Sequence, residues 1–198
     1  MTVRSRRQQR IGLFGGTFDP PHVGHLVAAG DARQALDLDV VRLVVANAPW
    51  QKIGARHITA AENQLAMVRA AVADAGGLEA SDVEISRGGL SYTADTLSDL
   101  RSEEPEAELF VILGNDAAAG FSTWDRHHEV AMAAHLVVVD RPGTPTPIDD
   151  GFAWTRIDIP ELEISSTELR QRVADGRSIR YLTPDAVVTC IFERGLYL

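Results

Sequence analysis

Short runs rich in Val, Ile and Leu on both parities recur along the chain and alternate with segments of helical spacing, and this alternation is what most narrows the fold. The runs are Arg10 to Phe14, Val40 to Ala46, Asp82 to Ser86, Glu108 to Leu113, Leu136 to Asp140 and Thr155 to Ile159. A strand with one wet face alternates apolar and polar residues. A strand apolar on both sides has to be covered on both, as in a parallel sheet with crossover helices. The expected architecture is α/β, an open, mainly parallel sheet with helices on both faces. Between the runs, Thr59 to Ala75 sets Leu65, Val68, Val72 and Ala75 at helical spacing, and Thr59 and Glu62 have the spacing of a capping box. Thr183-Pro184-Asp185 reads as an N-cap, a proline at the first helical position and an acid in the first turn, so a terminal helix is predicted after it.

With 198 residues, 45% of them hydrophobic and 24% charged, the chain has globular proportions and is long enough to bury a core. Residues 10–198 are read as one domain, and residues 1–9 as a frayed N-terminal extension in which Arg4, Arg6 and Arg7 lead only to Gln8 and Gln9. The Pro-rich loop from Pro142 to Pro147 is placed inside that domain. A formal charge of -9 opposes tracking along a nucleic-acid backbone, which needs a broad basic surface. No apolar run has the length of a bilayer crossing and no secretory leader pattern is present. The expectation is a cytoplasmic protein without nucleic-acid or membrane partners; a homo-oligomer is left open. The single Cys190 lies in the apolar stretch Val187 to Phe192 and is read as a packed thiol, since alone it makes neither an internal disulfide nor a structural zinc site.

The first run leads directly into Gly15-Gly16-Thr17-Phe18-Asp19-Pro20-Pro21-His22-Val23-Gly24-His25, after which Leu26 to Leu36 has helical character. A strand, a glycine turn and a helix start form an anion site, because unpaired backbone N–H groups and the positive helix end converge there and glycine lets a phosphate approach closely. The segment is neither a Walker loop nor a dinucleotide fingerprint. His22 and His25, three apart, share one face of the first helical turn, with Gly24 bare between them. From the residues alone the pair is a solvated surface feature, a zinc site lacking its third ligand, or a pair of donors to phosphate. The double glycine and Gly24 favour phosphate.

Ile164-Ser165-Ser166-Thr167-Glu168-Leu169-Arg170 is a second candidate helix start, with Ser165 and Glu168 at capping-box spacing. Ser166 and Thr167 would present hydroxyls and first-turn N–H groups to an anion, and Arg170 would reach back as a forked donor. An ordinary capped surface helix has the same local pattern. Two anion-binding helix starts on one sheet suit a triphosphate.

Gly15 to His25 resembles the signature of the nucleotidyltransferases with a His-x-Gly-His motif, and Ile164 to Arg170 resembles that family's Ile-Ser-Ser-Thr-x-x-Arg element. The resemblance implies a Rossmann-like nucleotidylyltransferase fold with ATP and an acceptor meeting at the carboxyl ends of the strands. It implies direct in-line attack of an acceptor phosphate on the α-phosphate of ATP, without a covalent enzyme intermediate. His22, His25 and Arg170 are then the catalytic residues, stabilising charge on the α-phosphoryl oxygens. Gly15, Gly16, Thr17, Phe18, Gly24, Ile164, Ser165, Ser166 and Thr167 line the phosphate side of ATP, with the last four holding its β and γ phosphates. Mg²⁺ is the expected cofactor, bridging phosphate oxygens without a dedicated carboxylate cage. Asp19 is read either as a metal ligand or as a turn-setting residue beside Pro20.

Several acceptors are used by enzymes with this signature, and the middle of the chain decides between them. Asn47-Ala48-Pro49-Trp50-Gln51-Lys52, Ser91-Tyr92-Thr93-Ala94-Asp95-Thr96-Leu97, and Gly114-Asn115-Asp116 followed by Trp124 resemble elements of the bacterial nicotinate mononucleotide adenylyltransferases. With both end motifs, the resemblance covers all but the first nine residues. It implies nicotinate mononucleotide as acceptor, in contact with Asn47, Lys52, Tyr92, Thr93 and Trp124. Physically, Thr93 is read as an N-cap whose neighbouring N–H groups would hold a carboxylate, and Trp124 as a platform for a pyridine ring. Gly114 and Asp116 end a strand where the ATP ribose belongs; Asn115 stands where alanine is common in the family. Arg141, after the fifth run, is a candidate phosphate contact. The competing readings are transfer to nicotinamide mononucleotide or another phosphorylated acceptor, a nucleotide-binding sensor without turnover, and a metal-binding protein built on His22 and His25.

Overall fold

The computed structural model describes residues 7–48, 58–140 and 147–198. Its sheet has six strands: β1 (Arg10–Gly16), β2 (Val40–Val45), β3 (Leu78–Ser81), β4 (Glu108–Gly114), β5 (His135–Asp140) and β6 (Trp154–Asp158). All neighbouring pairs are parallel, in the order β3-β2-β1-β4-β5-β6. The helices are α1 (Val23–Ala35), α2 (Ala61–Val72), α3 (Val83–Arg87), α4 (Thr93–Glu103), α5 (Asn115–Ala119), α6 (His127–Ala133), α7 (Ser166–Ala174) and α8 (Asp185–Glu193). From β1 the chain builds outward to β2 and β3, then returns past β1 to build β4, β5 and β6 on the other side. Connections leaving β1 and β4 diverge and open a crevice at their carboxyl ends.

Both-sided apolarity is used as the strand pattern requires. Phe14, Leu43, Phe110, Ile112, Val137 and Val139 face α1 and α2, where Ala28, Ala29, Ala32, Leu65 and Val68 are buried. Ile11, Leu13, Val40, Leu109, Val111, Leu136 and Val138 point the other way, onto Leu97 and Leu100 of α4 and Val130 of α6. A further layer lies outside α2: Met67 and Ala71 pack on Leu169 and Val173 of α7 and on Val187, Val188 and Ile191 of α8. Cys190 is half-buried against that layer. Outside the expected domain start, Arg7 pairs with Asp37 and Gln9 accepts the Glu108 N–H. No helix among the described residues is long and apolar enough to cross a membrane.

Several local expectations fail, among them the following three. Asp82 to Ser86 is not a strand: β3 is formed just upstream, and Val83–Arg87 is a short helix stopped by Gly88 (φ 75°) and Gly89 (φ 72°). Its alternating residues mimic a strand, but Glu84 is turned inward and accepts the Thr96 hydroxyl of α4 at 2.7 Å. The Thr59–Glu62 capping box does not form, because α2 starts after Ala60 and the Thr59 carbonyl instead accepts the Gln64 amide at 2.7 Å. Thr183 does not cap α8; Pro184 takes the cap position while the Thr183 hydroxyl donates to the Pro21 carbonyl at 2.8 Å. In both places the helix begins after the threonine that the spacing had put at the cap, so its hydroxyl is not aligned with the first-turn N–H groups.

Ile112 is fully buried in β4, so Ile112→Ala is expected to cost about 2–5 kcal/mol of unfolding free energy through lost burial and an unfilled cavity. A denaturant titration would read this as a lower midpoint; an unchanged midpoint would show that the sheet's centre repacks freely.

Candidate active site

β1 delivers Gly15 and Gly16 to the crevice. A Cβ at Gly15 would meet nothing within 4 Å, so its backbone borders open space, while the Gly16 carbonyl accepts the Ala46 N–H at 3.0 Å and holds the adjoining strand end. Phe18 then turns with a left-handed φ of 46° and buries its ring edge-on to Phe14 (5.9 Å) and to His25 (5.1 Å). The strained turn anchors the loop from beneath and gives the His25 ring a wall.

The segment after it is tied to the far end of the chain. Asp19 is 1% exposed, and its carboxylate accepts the Tyr197 hydroxyl at 2.7 Å. Its carbonyl accepts Arg170 Nη1 at 2.6 Å, and the Pro20 carbonyl accepts the Ser166 hydroxyl at 2.8 Å. The Val23 N–H donates to the Leu182 carbonyl at 3.0 Å. Residues 19–23 are thus held by residues 166–197, and the two motifs become one site. Burial, and then the hydrogen bond to Asp19, push the Tyr197 phenol far above its ordinary pKa, so it stays a proton donor. With its carboxylate bound to Tyr197 and buried, Asp19 fits the turn-setting role.

His22 is the N-cap of α1 and 8% exposed. The His25 ring reaches back, its Nδ1 accepting the His22 backbone N–H at 3.2 Å, and the two rings stack at 3.7 Å between centroids. An accepting Nδ1 places the proton of a neutral His25 on Nε2, the nitrogen that can donate to an anion. Gly24 leaves room for this stack: a Cβ there would lie 3.1 Å from His22 Nδ1 and crowd the ring. The helix starts three residues earlier than its sequence pattern suggested, because His25 itself supplies the reciprocal cap.

In the second motif Ser165 caps α7 by accepting the Glu168 N–H at 3.1 Å, while the Glu168 carboxylate pairs with Arg172 instead of returning to Ser165. Thr167 Oγ1 accepts Arg170 Nη2 at 3.0 Å and so retains its own proton for donation. Ile164 packs against the α2–α7–α8 layer and holds the motif down.

A cleft of about 440 Å³ runs across the carboxyl ends of β1 and β4. Gly15, Gly16, Thr17, Gly114 and Asp116 border it together with Tyr92, Thr93 and Trp124, so residues from widely separated parts of the chain share one space. Tyr92, not Thr93, holds the N-cap position of α4, without a side-chain cap bond, so the helix starts at Thr93, one residue earlier than expected; the first-turn N–H groups still end at the cleft. Asn47 reaches the same wall, its N–H donating to Ser91 Oγ at 2.9 Å and its side-chain amide to the Gly89 carbonyl at 2.8 Å. The Trp124 ring lies 5.6 Å from Phe121. Lys52 and Arg141 lie outside the described residues.

Sequence reasoning missed Glu84, Ser91, Thr96 and Asp125, which also line the cleft. Glu84 was hidden by the strand reading, although the Gly88-Gly89 pair is a helix-stop signal that would have exposed it. A larger cleft of about 680 Å³ lies beside α3 and α4. Its arginines are already engaged, Arg87 with Asp99 at 2.6 Å and Arg42 with Glu104 at 3.5 Å, and neither motif reaches it. Among the described residues no group of three or more His, Cys, Asp or Glu side chains is placed to hold a metal ion.

The cytidylyltransferase-like family model matches residues 13–172. A Frankia casuarinae protein named "Probable nicotinate-nucleotide adenylyltransferase" is 47% identical, over 93% of this chain and 98% of its own length. One of the same name from Mycolicibacterium vanbaalenii is 43% identical, over 100% and 96%. The Plasmodium falciparum nicotinic acid mononucleotide adenylyltransferase complexed with NaAD superposes with a TM-score of 0.77 over 96% of this chain and 98% of that one, at 20% identity. At that identity the likeness speaks to the fold.

Tyr197→Phe keeps the ring and removes the hydroxyl that donates to Oδ1 of the buried Asp19 carboxylate. The expected loss is about 1–3 kcal/mol of stability, read by thermal or denaturant unfolding. An unchanged unfolding midpoint would mean the carboxylate is satisfied without the C-terminal tyrosine.

Proposed function

Because the chain belongs to the cytidylyltransferase-like family and, within it, to the nicotinate-nucleotide adenylyltransferases, we propose that its cleft transfers the adenylyl group of ATP to nicotinate mononucleotide. The products are nicotinate adenine dinucleotide and pyrophosphate, a step of NAD biosynthesis. The observation that carries the reading is the junction of two phosphate-type helix starts, α1 and α7, at Asp19 and Pro20, just past Gly15, Gly16 and Thr17, which border the cleft.

An oxygen of the acceptor phosphate attacks the α-phosphorus as the bond to the bridging oxygen of pyrophosphate breaks. The nucleophile is already ionised, so the step needs alignment and charge neutralisation rather than a general base. His22 and His25 offer ring N–H donors and Arg170 a fixed positive charge, while the α1 and α7 starts direct backbone N–H groups at the phosphates. The stacking of His25 on His22 and its wall at Phe18 hold one ring orientation, which limits reorganisation during the reaction. Asp116 at the start of α5 is suited to ribose hydroxyls. On the acceptor side the start of α4 suits the nicotinate carboxylate, and Trp124 on the facing loop suits the ring. The described donor set, histidines, hydroxyls and an arginine, would suit a Mg²⁺ ion that arrives with the triphosphate and would neutralise phosphate charge there.

Pyrophosphate release from ATP and Mg²⁺ is expected to be faster with nicotinate than with nicotinamide mononucleotide, and reversal of that order would remove the carboxylate role of α4. His22→Ala is expected to lower kcat by roughly 10²–10³, the scale for loss of one aligned transition-state donor. Unchanged turnover in that variant would take His22 out of the chemistry. Chelation with EDTA is expected to stop turnover and added Mg²⁺ to restore it; turnover that persists in EDTA would exclude a metal-borne triphosphate.

A further inference from the structure

Arg126 is absent from both motifs, yet it has a non-glycine backbone held in the left-handed region, with φ 51° and ψ 36° at the N-cap of α6. Such a conformation at a large side chain is strained and persists only where its surroundings impose it. The side chain spans the two walls of the acceptor end of the cleft. Its Nε donates to Asp125 at 2.7 Å on the Trp124 loop, and its Nη2 meets Asp95 at 2.8 Å in the first turn of α4. Its guanidinium lies 5.7 Å from the centroid of the Tyr92 ring, the residue that caps α4. Tyr92, Thr93, Trp124 and Asp125 border the cleft and Arg126 stands behind them.

Stability does not explain this arrangement. Arg126, Asp95 and Asp125 are 36%, 37% and 49% exposed, and ion pairs in that range contribute little to folding. The charges are more telling. Asp95 sits in the helix turn, and Asp125 on the wall, that would face the nicotinate carboxylate, and both would repel it. Glu84 and Asp116 add negative charge to the same cleft.

We propose that Arg126 is a positioning and specificity residue for the acceptor: it neutralises Asp95 and Asp125 and clamps the Trp124 loop to the start of α4, which favours an acidic over an amide pyridine base. The proposal rests on the acceptor assignment made above. Its consequence differs from that of a structural contact, because removing the arginine restores two negative charges beside the substrate carboxylate and penalises the acid selectively.

The test is steady-state kinetics of the full chain with nicotinate and nicotinamide mononucleotide, comparing wild type, Arg126→Gly, Arg126→Lys and the double variant Arg126→Gly with Asp95→Asn. Glycine adopts the left-handed backbone without strain, so Arg126→Gly is expected to unfold within about 3 °C of wild type. Its acid-over-amide ratio of kcat/KM is expected to fall roughly five- to tenfold at low salt, the scale of one partly screened charge near an anion, and less in high salt. The KM for ATP stays constant, Arg126→Lys keeps much of the ratio, and Asp95→Asn restores part of it in the glycine background. An equal loss for both acceptors, a ratio that does not move, or no recovery with Asp95→Asn would overturn the role of Arg126 while leaving the acceptor assignment intact. A wild-type protein that turns over neither mononucleotide would overturn the assignment and the role together.

Discussion

The joint between Asp19-Pro20 and the C-terminal region governs this molecule. A buried carboxylate is costly unless its oxygens are satisfied, and at Asp19 the Thr59 N–H donates to Oδ2 while Tyr197, from the other end of the chain, donates its hydroxyl to Oδ1. Around it, the carbonyls of Asp19, Pro20 and Pro21 accept from Arg170, Ser166 and Thr183. The Thr183 bond is buried and the other two are part-buried, so losing a partner leaves a carbonyl short of a donor, and the loop and α7 support each other's position. The proposed phosphate side of the site inherits its geometry from these contacts.

The apolar layers make the joint possible. α2 buries one side against the sheet and the other against α7 and α8, so the second motif is carried on the outer layer yet arrives beside the end of β1. The divergence of the connections at β1 and β4 leaves the crevice in which the glycines, the α4 start and Trp124 meet. In the proposed function, helix ends, imidazoles and arginine would bring a charged triphosphate and a charged acceptor together here, in a chain whose formal charge is -9. Local positive groups decide binding; net charge does not.

How much of this was readable depended on the range of the physics involved. The parallel sheet followed from strands apolar on both parities, and five of the six runs became strands within a residue or two at each end. Both phosphate motifs, with their family resemblance, were readable because each is a contiguous segment whose chemistry is displayed by spacing alone. Ser165 capped α7 as its spacing predicted. Thr59 and Thr183 did not cap, since Thr183 found a carbonyl 162 residues away and Thr59 met the side chain of Gln64. The strand reading of Asp82 to Ser86 failed similarly: its alternation was real, but the partner that turned Glu84 inward was Thr96 of α4.

The sequence by itself determined the layer architecture and the chemical character of the two helix starts, because periodicity and cap spacing act between near neighbours and need no knowledge of the fold. The tertiary structure alone decided that Tyr197 would hold Asp19, that His25 would stack on His22 and cap its own helix, and that Arg126 would grip Asp95 and Tyr92. Those contacts depend on where side chains end in space after the core has packed. A hydrogen bond worth making in a buried site is set by distances of a few tenths of an ångström, which no linear spacing encodes.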